Sequence, residues 1–503
     1  MAKNKRKKFR AVKWEALTWI ILLISFLALA FVIFRFPLIP GKWKLIIIAA
    51  AFLPVLIMSF FSLRKRRKRS FSVTAVINIL LTACILIAAI LIPGVTKQID
   101  EIFADLPETD ETTINVYALT TEYKSAHSDK YREKGVSMIT DPDLVNYKNR
   151  QFITQNSVDQ DNQEWAIGQI KELFGTDSLW ENRTDTVWTA VRALYEGEGE
   201  ALILNQAYIT TIAENAEFAS FLEDTIVLKT FSHVSENEKQ KMALDTKQPF
   251  AFLIAGSDSR DAALTTVTRT DVDILAAVNP GTREILLVSF PRDSYIANPA
   301  LGGGLDKLTH MGIYGIDNTT AALSQFLGLE LNNYVLVNFN TYESIINTLG
   351  GVDIVNPYQF SSSSYTFPAG NIHLSGAEAL AYVRERYSLA SGDFDRNEHQ
   401  VIVLKAMIRK ILSPDVISRY SEVLEALSGT FLTNIKTESI YELAAAQMES
   451  MSAWTISSRH IEGSTGGAEC ASAPGELLSV VFPDMTVAES VADEVKTLLG
   501  TGE

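Results

Sequence analysis

Hydrophobic and polar positions divide the chain into two regimes. In the first 95 residues the apolar stretches are long and nearly uninterrupted: residues 14–34, broken only by Glu15, then 45–63 and 71–95, neither with a charge. A helix needs about 20 apolar residues to cross a hydrocarbon core. Three such runs, joined by short charged connections, predict three transmembrane helices within residues 1–97. Beyond them the apolar runs shorten. Residues 98–113 are acidic and read as a linker. From there to about 235, strand-like runs (114–119, 201–204) alternate with helical periodicity (161–174, 186–195). This predicts a small α+β accessory domain within 98–245, closed by a polar stretch at 235–247. Residues 249–255 then form a continuous apolar run short enough for a buried strand. Further strands are expected at 272–278, 285–290, 334–339 and 352–355, and helices at 319–327, 341–349, 377–380 and 396–412. That alternation predicts a mixed-sheet α/β layered domain over 246–503.

Charge orients the apolar runs. The N-terminal tail holds seven Lys and Arg, and the connection between the second and third runs holds six in succession, Arg64 to Arg69. The connection between the first and second holds three, Arg35, Lys42 and Lys44. Basic flanks stay in the cytoplasm, so a multi-pass chain with a cytoplasmic N-terminus and a large extracellular C-terminal part is expected. The first 95 residues carry sixteen basic groups against Glu15 alone, a net of +15. With the whole chain at −14, the remainder stands near −29. So acidic an exterior argues against nucleic acid as a partner. The Arg64–Arg69 run reads as a topology signal touching anionic lipid. Of two cysteines, Cys84 lies in the third run and Cys470 outside it, so no disulfide is expected within the exterior part.

Polar residues gather at the expected strand ends. Asp258 and Arg260 follow the first strand of the larger domain, Arg269 and Asp271 precede the second, and Arg292 and Asp293 follow the third. Ligands of α/β sheets sit outside strand ends. Carboxylates offer hard oxygens to Mg²⁺, and guanidinium groups fork onto phosphate oxygens. Arg384 and Arg386 share a face if their segment is extended, as Tyr382, Val383 and Tyr387 favour. Arg396 and Gln400 share a face on the first turns of the last of these helices, whose N-terminus suits an anion, with Asp393 or Asp395 as a candidate cap. No P-loop, HExxH or GxSxG pattern is present, and the six histidines show no metal-ligand spacing. His310 and His399 read as local hydrogen-bonding residues.

Taken in order, these residues resemble the LytR–CpsA–Psr family of cell-wall glycopolymer transferases. The resemblance rests on Gly256-Ser-Asp-Ser-Arg260, Arg269-Thr-Asp271, Val288-Ser-Phe-Pro-Arg-Asp293 and Leu349-Gly-Gly-Val-Asp353. It continues through the stretch from Leu374 to Arg386 and through Gly392-Asp-Phe-Asp-Arg396 with Gln400. Three spans and an extra domain are similar to the capsule-biosynthesis branch. The resemblance implies transfer of a glycan-1-phosphate from a polyprenyl-pyrophosphate carrier to peptidoglycan, with capsule-assembly proteins and membrane lipid as further expected partners. It implies Mg²⁺ on Asp258 and Asp271. Arg292, Arg384, Arg386 and Gln400 would hold the pyrophosphate, supported by Arg269 and Arg396, with Lys307 matching a family lysine. Lys307-Leu-Thr-His310 departs from the usual Asn-containing continuation, and His399 stands where Gln is common. Phosphoryl transfer needs positioning and neutralised phosphate charge, and Asp293 or Asp393 are candidate bases for the acceptor hydroxyl. The alternatives are a polyprenyl-pyrophosphate hydrolase using water, or a non-enzymatic regulator of capsule assembly that senses the lipid intermediate.

Overall fold

The computed structural model describes residues 2–36, 39, 41–63, 70–104, 110–157, 159–235, 241–257, 264–362, 364–390, 392–413, 416, 423, 431–450 and 452–501. Helices α1 (Ala2–Arg35), α2 (Gly41–Leu63) and α3 (Ser70–Ala104) contain the three long apolar runs. Each is long and apolar enough to cross a membrane, over Leu17–Arg35, Gly41–Phe61 and Val73–Pro93. Leu22 and Phe26 of α1 pack on Val55 and Met58 of α2. Small polar groups tie the three together: Trp19 Nε1 donates to Ser59 Oγ (2.6 Å), and Asn78 Nδ2 to Thr18 Oγ1 (3.5 Å). Such pairs are the usual adhesive where lipid removes any hydrophobic drive between helices. α3 runs on to Ala104, so the first part of the expected linker is helical. Its Gln98, Glu101 and Ala104 are good helix formers that extend the span past Pro93. The basic run at 64–69 lies outside the described residues.

The next unit is a five-stranded sheet. Its strands are β1 (Asp110–Leu119), β2 (Phe152–Gln155), β3 (Glu181–Thr184), β4 (Ala201–Asn205) and β5 (Thr225–Ser235), in the order β3-β2-β4-β1-β5. β2 runs parallel to both β3 and β4, and β1 antiparallel to β4 and β5. Strand alternation decides what covers each face. Ile114, Val116 and Ala118 meet Ile167 and Ile170 of α4 (Gln160–Phe174). Tyr117 and Leu119 meet Trp188 and Val191 of α5 (Val187–Glu196), together with Ile209 and Ile212 of α6 (Ile209–Glu214).

The larger unit is built on six strands, in the order β10-β9-β6-β7-β8-β11. They are β6 (Phe250–Ser257), β7 (Thr270–Asn279), β8 (Glu284–Phe290), β9 (Tyr334–Val337), β10 (Phe431–Thr433) and β11 (Thr455–His460). β6 to β8 form an antiparallel meander, while β9 joins β6 and β11 joins β8 in parallel. Leu253, Leu275, Leu286 and Val288 face α7 (Ile316–Leu327) and α10 (Met485–Leu499). Ile274, Ala276 and Leu287 face the other way, onto Val401 of α9 (Asp393–Ile411). β9 is shorter than expected. Asn338 accepts from Thr341 N (2.9 Å) and caps a helix that begins at Phe339. Val352–Asn356 leaves the main sheet and pairs with Gly370–Leu374 as a separate ribbon.

The units touch. A hairpin, Gly463–Cys470 with Ala473–Pro483, sends Cys470, Ala473 and Val480 into the core around Trp188, and Ile313 enters it too. Arg192 forks onto Glu217 (3.0 and 2.7 Å) and reaches Glu476 of the hairpin (3.3 Å). At the anchor, Lys42 Nζ donates to the Glu449 carbonyl (2.9 Å) and lies 3.3 Å from its carboxylate.

Candidate functional site

The ends of β7 and β8 assemble a compact set of opposite charges. β7 opens with Thr270-Asp271, beside an irregularity where the register against β6 shifts between Gly256 and Ser257. β8 stops at Phe290 because Pro291 follows and cannot continue the ladder. Arg292 and Asp293 are thereby turned out of the sheet. Arg292 Nη1 donates to Asp271 Oδ1 at 2.8 Å, and its Nε lies 3.9 Å from Asp293 Oδ2. Lys307 Nζ approaches Asp293 Oδ1 to 3.1 Å. The residues after Lys307 are stitched to the same loop, with Leu308 N donating to Ser294 O and Thr309 N to Arg292 O. All four side chains are largely buried, and Lys307 is the most enclosed.

α8 (Gly376–Arg384) corrects one expectation. Arg384 is the last residue of a helix and is exposed; only Glu385 and Arg386 are past its end. The cause is local. Ser375 and Glu378 form a capping box, each side chain bonding the other's backbone N–H, which starts a helix that carries Tyr382 and Val383 into the core. Arg386 Nη2 donates to Tyr387 Oη (2.7 Å), and its guanidinium lies 4.7 Å from that ring's centre. Arg386's hydrogen bond and charge, with the charges of Arg292 and Arg396, hold the Tyr387 phenol below its ordinary value. Of these arginines, Arg386 is the one with a described contact to this phenol, which is 86 % exposed. On α9, Arg396 and Gln400 are both buried. The α9 N-cap is Gly392, without a side-chain cap, so neither Asp393 nor Asp395 fills that role. Asp258 and Arg260 lie outside the described residues, as does the Asp393 side chain.

Arg269 is buried, and its Nη1 donates to Thr211 Oγ1 on α6 (3.3 Å). That contact crosses from the larger unit to the smaller.

Three further features escaped the sequence reading. Asp273, two residues beyond Asp271, is fully enclosed. Burial pushes its carboxyl up to about 7, with a smaller push from Asp271 against the Thr270 hydrogen bond. Its Oδ2 accepts from Thr270 (2.9 Å), while its Oδ1 has no hydrogen-bond partner. An acid in the otherwise apolar run Val272 to Val278 was the available signal. The second feature is a clasp behind Lys307. Asp306 accepts from Lys307 N, Ser472 Oγ and Asn298 Nδ2 and bonds His310 Nδ1 (2.8, 2.9, 3.1 and 2.9 Å). Burial alone would raise Asp306, but His310, Ser472 and Asn298 outweigh it and hold the carboxyl below its ordinary range. Asp306, His310 and Cys470 also bring possible ligand atoms within 4.8 Å of one another. With its carboxylate already engaged on both oxygens, Asp306 serves there as a hydrogen-bond hub. Third, His399 lies flat in an aromatic nest, 4.7 Å from Phe360, 4.3 Å from Tyr382 and 5.8 Å from Tyr358. His310 is the local hydrogen-bonding residue it was expected to be; His399 is chiefly a packing residue.

Asp271, partly exposed at this strand end, offers hard oxygen of the kind a divalent cation such as Mg²⁺ takes.

A model of the LytR_cpsA_psr family matches residues 221–476. A polyisoprenyl-teichoic acid–peptidoglycan teichoic acid transferase, TagU, from Enterococcus faecalis is 33% identical over 217 residues, covering 43% of this chain and 71% of that protein. The TagU of Bacillus subtilis is 31% identical over 211 residues, covering 42% and 67%. Among solved structures, B. subtilis TagV is 28% identical, with 51% of this chain and 99% of that one covered and a TM-score of 0.43.

Proposed function

The chain belongs to the LytR–CpsA–Psr family, and from that premise we propose that it is a glycopolymer transferase. It would move a glycan-1-phosphate from a polyprenyl-pyrophosphate carrier in the outer leaflet onto a peptidoglycan hydroxyl, with capsular polysaccharide or a related glycopolymer as the cargo. The cluster at the ends of β7 and β8, where Arg292 bonds Asp271 and Lys307 lies against Asp293, carries the reading. Cationic side chains brought together at strand ends suit a group with several anionic oxygens. The TagU relatives, named for transfer of teichoic acid to peptidoglycan, support the same class of reaction.

The residues divide the work by charge. Arg292, with Arg269, Arg384, Arg386, Arg396 and Gln400, would hold the pyrophosphate and offset charge developing on its oxygens, which is the main demand of phosphoryl transfer. Lys307 and Arg292 hold Asp293 in place, and that carboxylate is one candidate to accept a proton from an acceptor hydroxyl; Asp393 is the second. Asp271, with Asp258, would hold Mg²⁺, which when bound supplies further positive charge to the phosphate oxygens. The Lys42–Glu449 contact joins the first turn of α2 to the larger unit. It supports placing that unit on the outer face, where the lipid-linked donor arrives.

The test uses full-length protein in detergent with lipid-linked glycan, Mg²⁺ and peptidoglycan oligomers. A covalent glycan–peptidoglycan product is expected, and Arg292→Ala should abolish it while leaving the melting curve intact. Transfer at the wild-type rate by Arg292→Ala would sink the assignment of the site. Phosphate release without any glycan acceptor, as fast as transfer, would point to a hydrolase instead.

A further inference from the structure

The Arg269 guanidinium is held from the other unit. Its Nη1 donates to Thr211 Oγ1 at 3.3 Å, and both residues are nearly inaccessible to solvent. We propose that the accessory domain forms one wall of the transfer site, and that Thr211 is a positioning residue which aims Arg269 at the pyrophosphate. The inference rests on reading Arg269 as a pyrophosphate ligand.

The packing makes this wall stiff. α6 carries Ile209 and Ile212 into the accessory core, and Tyr208 just ahead of it bonds across to Tyr314 (Oη–Oη 3.2 Å). Ile313, the neighbour of Tyr314, is buried in the same accessory core. The segment leading to Arg269 lies against these residues. Thr268 N donates to Gly312 O (3.0 Å) and Ile316 N to Thr266 O (2.8 Å). A methyl group at Gly312 would come within 2.0 Å of Thr268 O, so the two backbones are in direct contact. Residues 266–269 are therefore trapped between the Gly312–Ile316 segment and α6.

The chemistry of the contact also matters. A buried guanidinium must find acceptors, and the Thr211 hydroxyl is a neutral one that fixes the direction of Nη1. A long arginine side chain has about 2 kcal/mol of rotamer freedom, and a contact made before the substrate arrives removes part of that penalty from the binding step.

Full-length protein in detergent tests this with Thr211→Val, Thr211→Ser and Arg269→Lys, alone and with Val added to the Lys background. Farnesyl pyrophosphate binding and transfer kinetics are the readouts, alongside thermal melting. Thr211→Val should lower kcat/KM by on the order of tenfold. Thr211→Ser should restore it to about twofold of wild type, and both should melt with the wild type. On the Arg269→Lys background, Thr211→Val should cost nothing more, because its effect runs through the guanidinium. Three results overturn the proposal: an unchanged Thr211→Val, a Thr211→Ser as impaired as Val, or the same loss on both backgrounds. If Thr211→Val melts early, Thr211→Ala is judged by the same comparison between backgrounds. Wild-type protein that binds no pyrophosphate overturns the reading of the site and the inference with it. Normal binding with an unaffected Thr211→Val overturns the inference alone.

Discussion

His399→Phe should remove a pH dependence of stability that His399 imposes. The imidazole is completely enclosed and faces the rings of Phe360, Tyr382 and Tyr358. Burial is the main reason its pKa falls from the ordinary 6.5 to about 4, only partly offset by the nearby Tyr382 backbone and the charge of Asp395. The unfolded chain therefore binds a proton between pH 6.5 and 4 that the folded chain refuses. Stability from this group is complete above 6.5 and is lost as pH falls toward 4. A gap of about 2.5 units at 1.36 kcal/mol each amounts to about 3 kcal/mol. Phenylalanine keeps the stacking and cannot titrate. Urea unfolding of the exterior part, followed by tryptophan fluorescence, would be run for both proteins from pH 7.5 to 4. Trp454, packed in the cluster that includes Val401 of α9, reports on unfolding of the larger unit. Other acidic groups titrate alike in both proteins, so the stability of wild type relative to the variant should fall by about 3 kcal/mol over that range. A flat difference, or a His399 ring resonance titrating near 6.5, would refute the argument.

Asp273 predicts the opposite slope. Its carboxyl is held up near 7 by burial, so the folded chain keeps a proton that the unfolded chain loses above about 4. The stability of wild type relative to Asp273→Asn, measured in EDTA, should decline by on the order of 4 kcal/mol between pH 4 and 7; a flat difference would exclude it. Gly312→Ala has no backbone conflict, since glycine there is in the ordinary helical region, but its methyl would meet Thr268 O. A loss of about 3 kcal/mol is expected in calorimetry, and a variant that melts with the wild type would show that the two segments can separate.

Much of this was legible because the decisive signals were local. Unbroken apolar length marked the spans, and the runs at 249–255, 272–278 and 285–290 marked the meander. Arg292 and Asp271 lie at strand ends that the apolar pattern itself delimits. The helix at Arg384 was also written locally, in Ser375 and Glu378, but aromatic and β-branched residues just after them argued for strand and tertiary burial overrode that preference. What could not be read is carried by distant pairs. Thr211 and Arg269 are 58 residues apart, and Arg192 and Glu476 are 284 apart. No spacing rule connects such residues, because their meeting depends on how two sheets pack. Asp273 differs again: its position was plain, but its protonation follows from burial that only the folded chain reveals.

The parallel strand β11 has a bearing on how the protein is made. It completes β8, yet Ser289 and its hydrogen-bonded partner His460 are 171 residues apart, and His310 waits 162 residues for Ser472. At a ribosomal pace of 5–20 residues per second, β8 is left without its edge partner for roughly 10–30 s after its own synthesis. The spans are the first part translated, so the unfinished sheet emerges already tethered at the membrane. During that interval an open strand edge is exposed to its neighbours. A product that stops short of residue 455 has its arginines translated but lacks the strand that closes the sheet beneath them, and it is the form most prone to aggregate.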